Sequence, residues 1–207
     1  MTDLERIRAI ADWLDTSWST EQEDGLLRFG DYLSDEAVAS GGIGPHEAPR
    51  VMDRHVCDSL VYLIAIDSAA KTVIDVGSGV GLPGIPIAIG RPDLQVTLLD
   101  RSQRRTDLAR RAVRILGLDN VTVVTGDVND ARGVPDVVTF RASLGLGAAA
   151  VAFETLTTRR GIGVFGVSRL AETPTISQPP PGISFDLQRE ASKVLDSPSW
   201  LLRMGHL

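Results

Sequence analysis

Apolar residues recur at helical spacing at the start of the chain. Leu4, Ile7, Ile10, Ala11 and Leu14 follow the capping-box sequence Thr2-Asp3-Leu4-Glu5, which predicts an amphipathic helix over residues 3–15. Ser19-Thr20-Glu21-Gln22-Glu23 starts a second helix whose apolar side is Leu26, Leu27, Phe29, Tyr32 and Leu33. Gly41, Gly42, Gly44 and Pro45 form a loop, and a third helix is predicted from about Ala48 to Ile66, with Pro49 in its first turn. Arg54 and Asp58 then share a face at i and i+4, with His55 beside them, as a solvated local pair or as the frame of a site. From residue 72 the period changes. Short apolar runs at 72–76, 95–99, 121–125, 136–140 and 161–167 alternate with helical stretches at 82–89, 102–116 and 148–156. That alternation predicts a mostly parallel α/β sheet. Residues 172–182 carry four prolines and read as an exposed loop, and 183–189 and 200–204 read as closing strands, antiparallel at the sheet edge. The expected organisation is an N-terminal helical extension, 1–68, packed on a core, 69–207.

The densest backbone chemistry lies in Val73–Gly84, V-I-D-V-G-S-G-V-G-L-P-G. An apolar strand meets a glycine cluster with a helix behind it. Glycines permit positive φ and close approach to a ligand, and a helix start offers free N–H groups. Gly79-x-Gly81-x-x-Gly84 satisfies the dinucleotide fingerprint, a weak signal when alone, against the plain alternative of a turn that binds nothing. Two features favour S-adenosylmethionine over a nicotinamide. Asp75 sits inside the strand, where a carboxylate can hold the floor of the loop, and the chain has little room for a second substrate domain. Asp100 ends the next apolar run about twenty residues on, where an acid suits paired ribose hydroxyls with either cofactor.

D-V-G-S-G-V-G-L-P-G-I-P-I-A from Asp75 to Ala88 resembles the ribosomal small-subunit RNA methyltransferase family first called glucose-inhibited division protein B. Arg54-His55-Val56-Cys57-Asp58-Ser59-Leu60 is similar to that family's R-H-L-L-D-S-L element, and Leu98-Leu99-Asp100, Leu116–Val121 and Arg141-Ala142 extend the likeness. Leu82-Pro83-Gly84-Ile85-Pro86 is more specific than the glycines themselves. The resemblance implies a Rossmann-like class I methyltransferase sheet, S-adenosylmethionine as cofactor, and methylation of guanine N7 in 16S ribosomal RNA, bare or in the small ribosomal subunit. Carried over by position, cofactor contacts fall on Gly77, Ser78, Gly79, Leu82, Asp100, Val128, Asn129 and Arg141. Arg54, His55 and Arg169 fall on the substrate side. In methyltransferases of this fold, residues just past strand three approach the adenine, here Gly126-Asp127-Val128-Asn129. Two departures lie on the substrate side. Gly166-Val167-Ser168-Arg169 replaces an A-L-K-G-like turn, and Gly41 to Pro45 replaces an Asn-Leu-Thr element.

Composition adjusts this picture. With 207 residues and 43% hydrophobic content, one domain or one domain with an extension is expected. No apolar run is long enough to cross a bilayer, and the acidic N-terminus shows no signal-peptide pattern, so a cytoplasmic protein is expected. The single cysteine, Cys57, reads as a small buried residue, and the three histidines lack metal-ligand spacing, so no metal is expected. The net charge of −6 is unlike that of a nucleic-acid binder, although a local patch can bind a polyanion. Arginines crowd 101–114, as a solvated helix face or a phosphate contact. Guanine N7 already presents a lone pair, so no general base and no catalytic side chain are expected. Two alternatives stand beside the RNA reading: a diverged paralogue methylating a small molecule, favoured by the acidic charge and the altered turn, and a non-catalytic binding module.

Overall fold

The computed structural model describes residues 1–169 and 171–207. Both N-terminal helices start on reciprocal capping boxes. In α1 (Asp3–Trp13) the Thr2 hydroxyl accepts from the Glu5 N–H and the Glu5 carboxylate from the Thr2 N–H; Ser19 and Gln22 do the same for α2 (Thr20–Tyr32). A π-helical turn, Leu33–Ala37, extends α2.

The third helix winds less regularly than its pattern predicts. Pro45–Arg50 is 3-10 and Met52–Cys57 is π-helical; α3 (Asp58–Leu60) is one turn, and Val61–Ala65 is 3-10 again. Pro49 supplies no N–H, and the Ser59 hydroxyl donates to the His55 carbonyl at 2.5 Å, a side-chain bond to i−4 that bends helices. Of the two readings of Arg54 and Asp58, the local pair does not form. Arg54 reaches Asp196 at 2.8 Å and Asp53 at 3.6 Å, whereas Asp58 faces Arg141 and Arg169. Cys57 is fully buried, and burial pushes its thiol up to about 12.

The sheet has seven strands: β1 (Thr72–Val76), β2 (Gln95–Asp100), β3 (Val121–Thr125), β4 (Val137–Arg141), β5 (Ile162–Ser168), β6 (Ile183–Glu190) and β7 (Ser199–His206), in the order β3-β2-β1-β4-β5-β7-β6. The first five are parallel, and β7 pairs antiparallel with both β5 and β6. The antiparallel strand therefore lies one place in from the edge. Alternate residues of β1 feed opposite cores: Val73 joins the α1, α2 and residue 45–65 layer, while Ile74 and Val76 join Phe140, Phe153 and Leu202 on the other face. Helices α4 (Gly84–Gly90), α5 (Gln103–Leu116) and α6 (Leu146–Leu156) connect the strands. The chain runs outward from β1 to β2 and β3, then restarts on the other side at β4. Open α/β sheets bind ligands at such a reversal, beyond the carboxyl ends of the strands.

Candidate functional site

Beyond Val76 the chain turns at once. Gly77 takes φ +71° and Gly79 φ +57°, a region that side chains strain. The N–H groups of Gly77 and Ser78 both donate to the Leu99 carbonyl, at 2.7 and 3.1 Å, tying the loop to the end of β2. A Cβ on Gly77 would collide with Ser143, whereas one on Gly79 would meet nothing within 4 Å. The loop is thus packed on one side and open on the other.

Asp75 holds the floor from below. It is fully buried; its Oδ2 accepts from the Gly84 N–H at 2.9 Å and its Oδ1 from the Thr139 hydroxyl at 2.9 Å. Burial outweighs these bonds and pushes its pKa up to about 7. The α4 N–H groups do not face the loop's open side as the sequence suggests: Gly84 serves Asp75, and Ile85 serves the Gly81 carbonyl at 2.8 Å. Asp100, at the end of β2, accepts from the Gly79 N–H at 2.9 Å and the Ser102 N–H at 2.8 Å. Past β3, Asp127 caps the Val128–Asp130 turn, accepting from the Asn129 N–H at 2.8 Å.

These elements surround a cavity of about 570 Å³, within the size range of small-molecule sites. Gly77, Ser78, Gly79, Leu82, Asp100, Val128, Asn129 and Arg141 all line it, as does His55. Ile43, Glu47 and His55 bring the N-terminal part of the chain onto it, and Leu144, Ala148 and Val151 form an apolar wall. The Ser78 hydroxyl is 2% exposed and has no hydrogen-bond partner, a buried polar atom that a ligand would satisfy.

Arg141 leaves β4 and crosses to the 52–57 turn. Its Nη2 donates to the Arg54 carbonyl at 2.6 Å and to His55 Nδ1 at 3.2 Å, and its Nε lies 3.4 Å from Asp58. A guanidinium only donates, so Nδ1 accepts and the neutral ring carries its proton on Nε2. Burial, then the Arg141 charge, lowers the His55 pKa to about 4 against the pull of Glu47. Nε2 is buried and stands 3.3 Å from Glu47 Oε2, its nearest charged partner.

Arg54 and Arg169 do not line the cavity. The Arg169 side chain is 8% exposed; it donates to the Asp53 carbonyl at 3.2 Å and to Asp196 at 2.8 Å, with Nε 3.6 Å from Asp58. The lining residues that sequence reasoning missed include Glu47, Ser143 and the apolar wall of Leu144, Ala148 and Val151. Glu47 lies in a 3-10 turn that begins ahead of the predicted helix, and Ser143 shows its role only in the fold, where its hydroxyl donates to the Val76 carbonyl at 2.8 Å and its side chain fills the space beside Gly77. Asp127, noted in sequence, acts as a cap. Among the described residues no cluster of three His, Cys, Asp or Glu could hold a metal, and no helix is long and apolar enough to cross a membrane.

Residues 22–165 match the family model GidB, described as rRNA small subunit methyltransferase G. Similar curated relatives include the ribosomal RNA small subunit methyltransferase G of Mycobacterium leprae, 46% identical over 120 residues (56% of this chain, 48% of that protein). That of Streptomyces avermitilis is 44% identical over 119 residues (56% and 50%). The chain spans about half the length of the curated relatives it matches. Among solved structures, a variant of MtNAS in complex with S-adenosylmethionine superposes with a TM-score of 0.57 at 13% identity, over 90% of this chain and 72% of that one. Precorrin-6y C5,15-methyltransferase from Geobacter metallireducens gives 0.50 at 14% identity, over 72% and 87%. At such identities the likeness is one of fold, and it agrees with the α/β methyltransferase sheet expected from the sequence.

Proposed function

The chain belongs to the GidB family of rRNA small subunit methyltransferase G, and on that premise we propose that it is an S-adenosylmethionine-dependent methyltransferase acting on N7 of a guanine in 16S ribosomal RNA. The observation that carries the reading is the cavity at the β1/β4 reversal, floored by the Gly77–Gly79 loop and edged by Asp100. The donor set fits the cofactor. Asp100 receives the ribose hydroxyls, Val128 covers the adenine, and Asn129 meets its amino group. Gly77, Ser78, Gly79 and Leu82 would hold the amino-acid end, which Arg141 borders.

When bound, S-adenosylmethionine supplies a methyl group already activated on a sulfonium. The N7 lone pair needs no deprotonation, so the protein's task is to bring nitrogen and methyl into line and to exclude water. The wall of Leu144, Ala148 and Val151 and the cover of residues 43–55 serve that task. On this reading residues 1–68 are an extension that completes the site of the 69–207 core. His55 faces the substrate, and Arg54 and Arg169 are positioning residues that hold Arg141 and Asp58.

The test is nucleoside analysis by mass spectrometry after incubation with S-adenosylmethionine and small ribosomal subunits lacking the modification. Formation of 7-methylguanosine is expected. A different methylated nucleoside, or none while the cofactor binds, would contradict the proposal.

A further inference from the structure

The cavity holds one carboxylate that neither ties down the loops around it nor edges the cofactor end. Asp75 and Asp100 are engaged by loop N–H groups, and Asp127 caps its own turn. Glu47 is different. It reaches the cavity from the 45–50 turn, and its near neighbour there is His55 Nε2 at 3.3 Å. Arg141 occupies Nδ1, so Nε2 bears the proton and is a donor. It is also buried without a hydrogen bond. Nε2 is thus enclosed against the carboxylate, and what the cavity meets is Glu47, a strong acceptor with a side chain 36% exposed.

Guanine carries the complementary donors. Its O6 is an acceptor, and the neighbouring N1–H and 2-amino group are donors. Adenine presents the opposite order, an amino donor at position six beside an acceptor at N1. Resting on the guanine methylation proposed above, we infer that Glu47 selects the base by accepting from N1–H and the 2-amino group, with His55 behind it as a positioning residue whose enclosed Nε2 faces the same carboxylate. N7 lies on the far side of O6 from N1, which leaves it free for transfer. The apolar Leu144 and Val151 offer a surface for the face of the ring. Methylation at N7 makes the ring cationic, so a carboxylate bonded to N1–H interacts more strongly as the reaction proceeds, the differential that accelerates a step.

The test uses the full chain loaded with S-adenosylhomocysteine, titrated calorimetrically with guanosine 5′-monophosphate, inosine 5′-monophosphate, which lacks the 2-amino group, and adenosine 5′-monophosphate. Wild type is expected to favour the guanosine nucleotide by about tenfold or more, since a site built for a hydrogen bond rejects analogues lacking it. Glu47→Gln is expected to flatten that ratio and to slow 7-methylguanosine formation on small subunits by about tenfold or more, with S-adenosylhomocysteine affinity unchanged. Equal or absent binding of the three nucleotides by wild type, or a preference retained in Glu47→Gln, would overturn the inference. The two readings separate cleanly: if wild type forms no 7-methylguanosine, the guanine reading falls and this inference with it. If wild type forms it and Glu47→Gln forms it equally fast, only the assignment of Glu47 falls.

Discussion

Gly77 tolerates no side chain for two reasons: its φ of +71° is unfavourable to L residues, and Ser143 fills the space a Cβ would take. Gly77→Ala should cost about 1–3 kcal/mol of stability and weaken S-adenosylmethionine binding by tenfold or more, read by chemical unfolding and calorimetry. Two buried groups give pH signatures of opposite sign. Asp75 titrates near 3.8 unfolded and about 7 folded, so its contribution is present below about pH 4 and lost as pH rises through 7. His55 titrates near 6.5 unfolded and about 4 folded, so its contribution is present above 6.5 and lost as pH falls through 4. In wild type the two oppose each other across one window. Asp75→Asn should therefore gain stability relative to wild type from pH 4 to 7, and His55→Gln should gain it from pH 6.5 down to 4, in unfolding titrations at each pH. The glycines, Asp75 and Asp100 were legible in the sequence because backbone chemistry at a strand end is local. The role of Arg169 was not, because its partner Asp53 is 116 residues away in the chain, and that of Glu47 was not, because the irregular winding of 45–57 sets its approach to His55.

At the scale of elements, strand positions followed their apolar runs closely, since a buried parallel strand must be apolar on both faces. The 45–65 segment was legible as helical but not in its winding. Its turns are set by tertiary bonds: Arg141 on the Arg54 carbonyl, and Arg169 on Asp53 and near Asp58. Arg169 stands just past the end of β5, beyond the family match, and locks that strand's exit to the turn covering the cavity. Removing one partner of a buried charge cluster strands the others, so Arg169→Ala should destabilise the protein by about 3–5 kcal/mol in chemical unfolding. Arg169→Lys should recover only part of that, because a lysine cannot span the Asp53 carbonyl, Asp196 and the Ser197 carbonyl at once.

Over the whole molecule the charge is −6, and much of the arginine face of α5 is spent internally. Arg110 pairs with Asp107, Arg111 with Glu36, and Arg105 stands 4.0 Å from Asp100. Arg101, Arg104 and Arg114 are exposed and form no ion pair among the described residues. With about three phosphate contacts from these arginines, log K for bare RNA should fall against log salt with a slope of roughly −2 to −3, measured by fluorescence anisotropy. The sheet order and the cofactor loop say little about such a surface, which is why the acidic charge, with the altered turn at Gly166–Arg169, argued in sequence for a small-molecule paralogue. The most direct measurement is transfer of labelled methyl from S-adenosylmethionine to 16S RNA lacking the modification, bare and in assembled small subunits, by wild type and Gly77→Ala. The account predicts label on a single guanine with wild type and its loss in the variant. Tight cofactor binding without label on either substrate would contradict it.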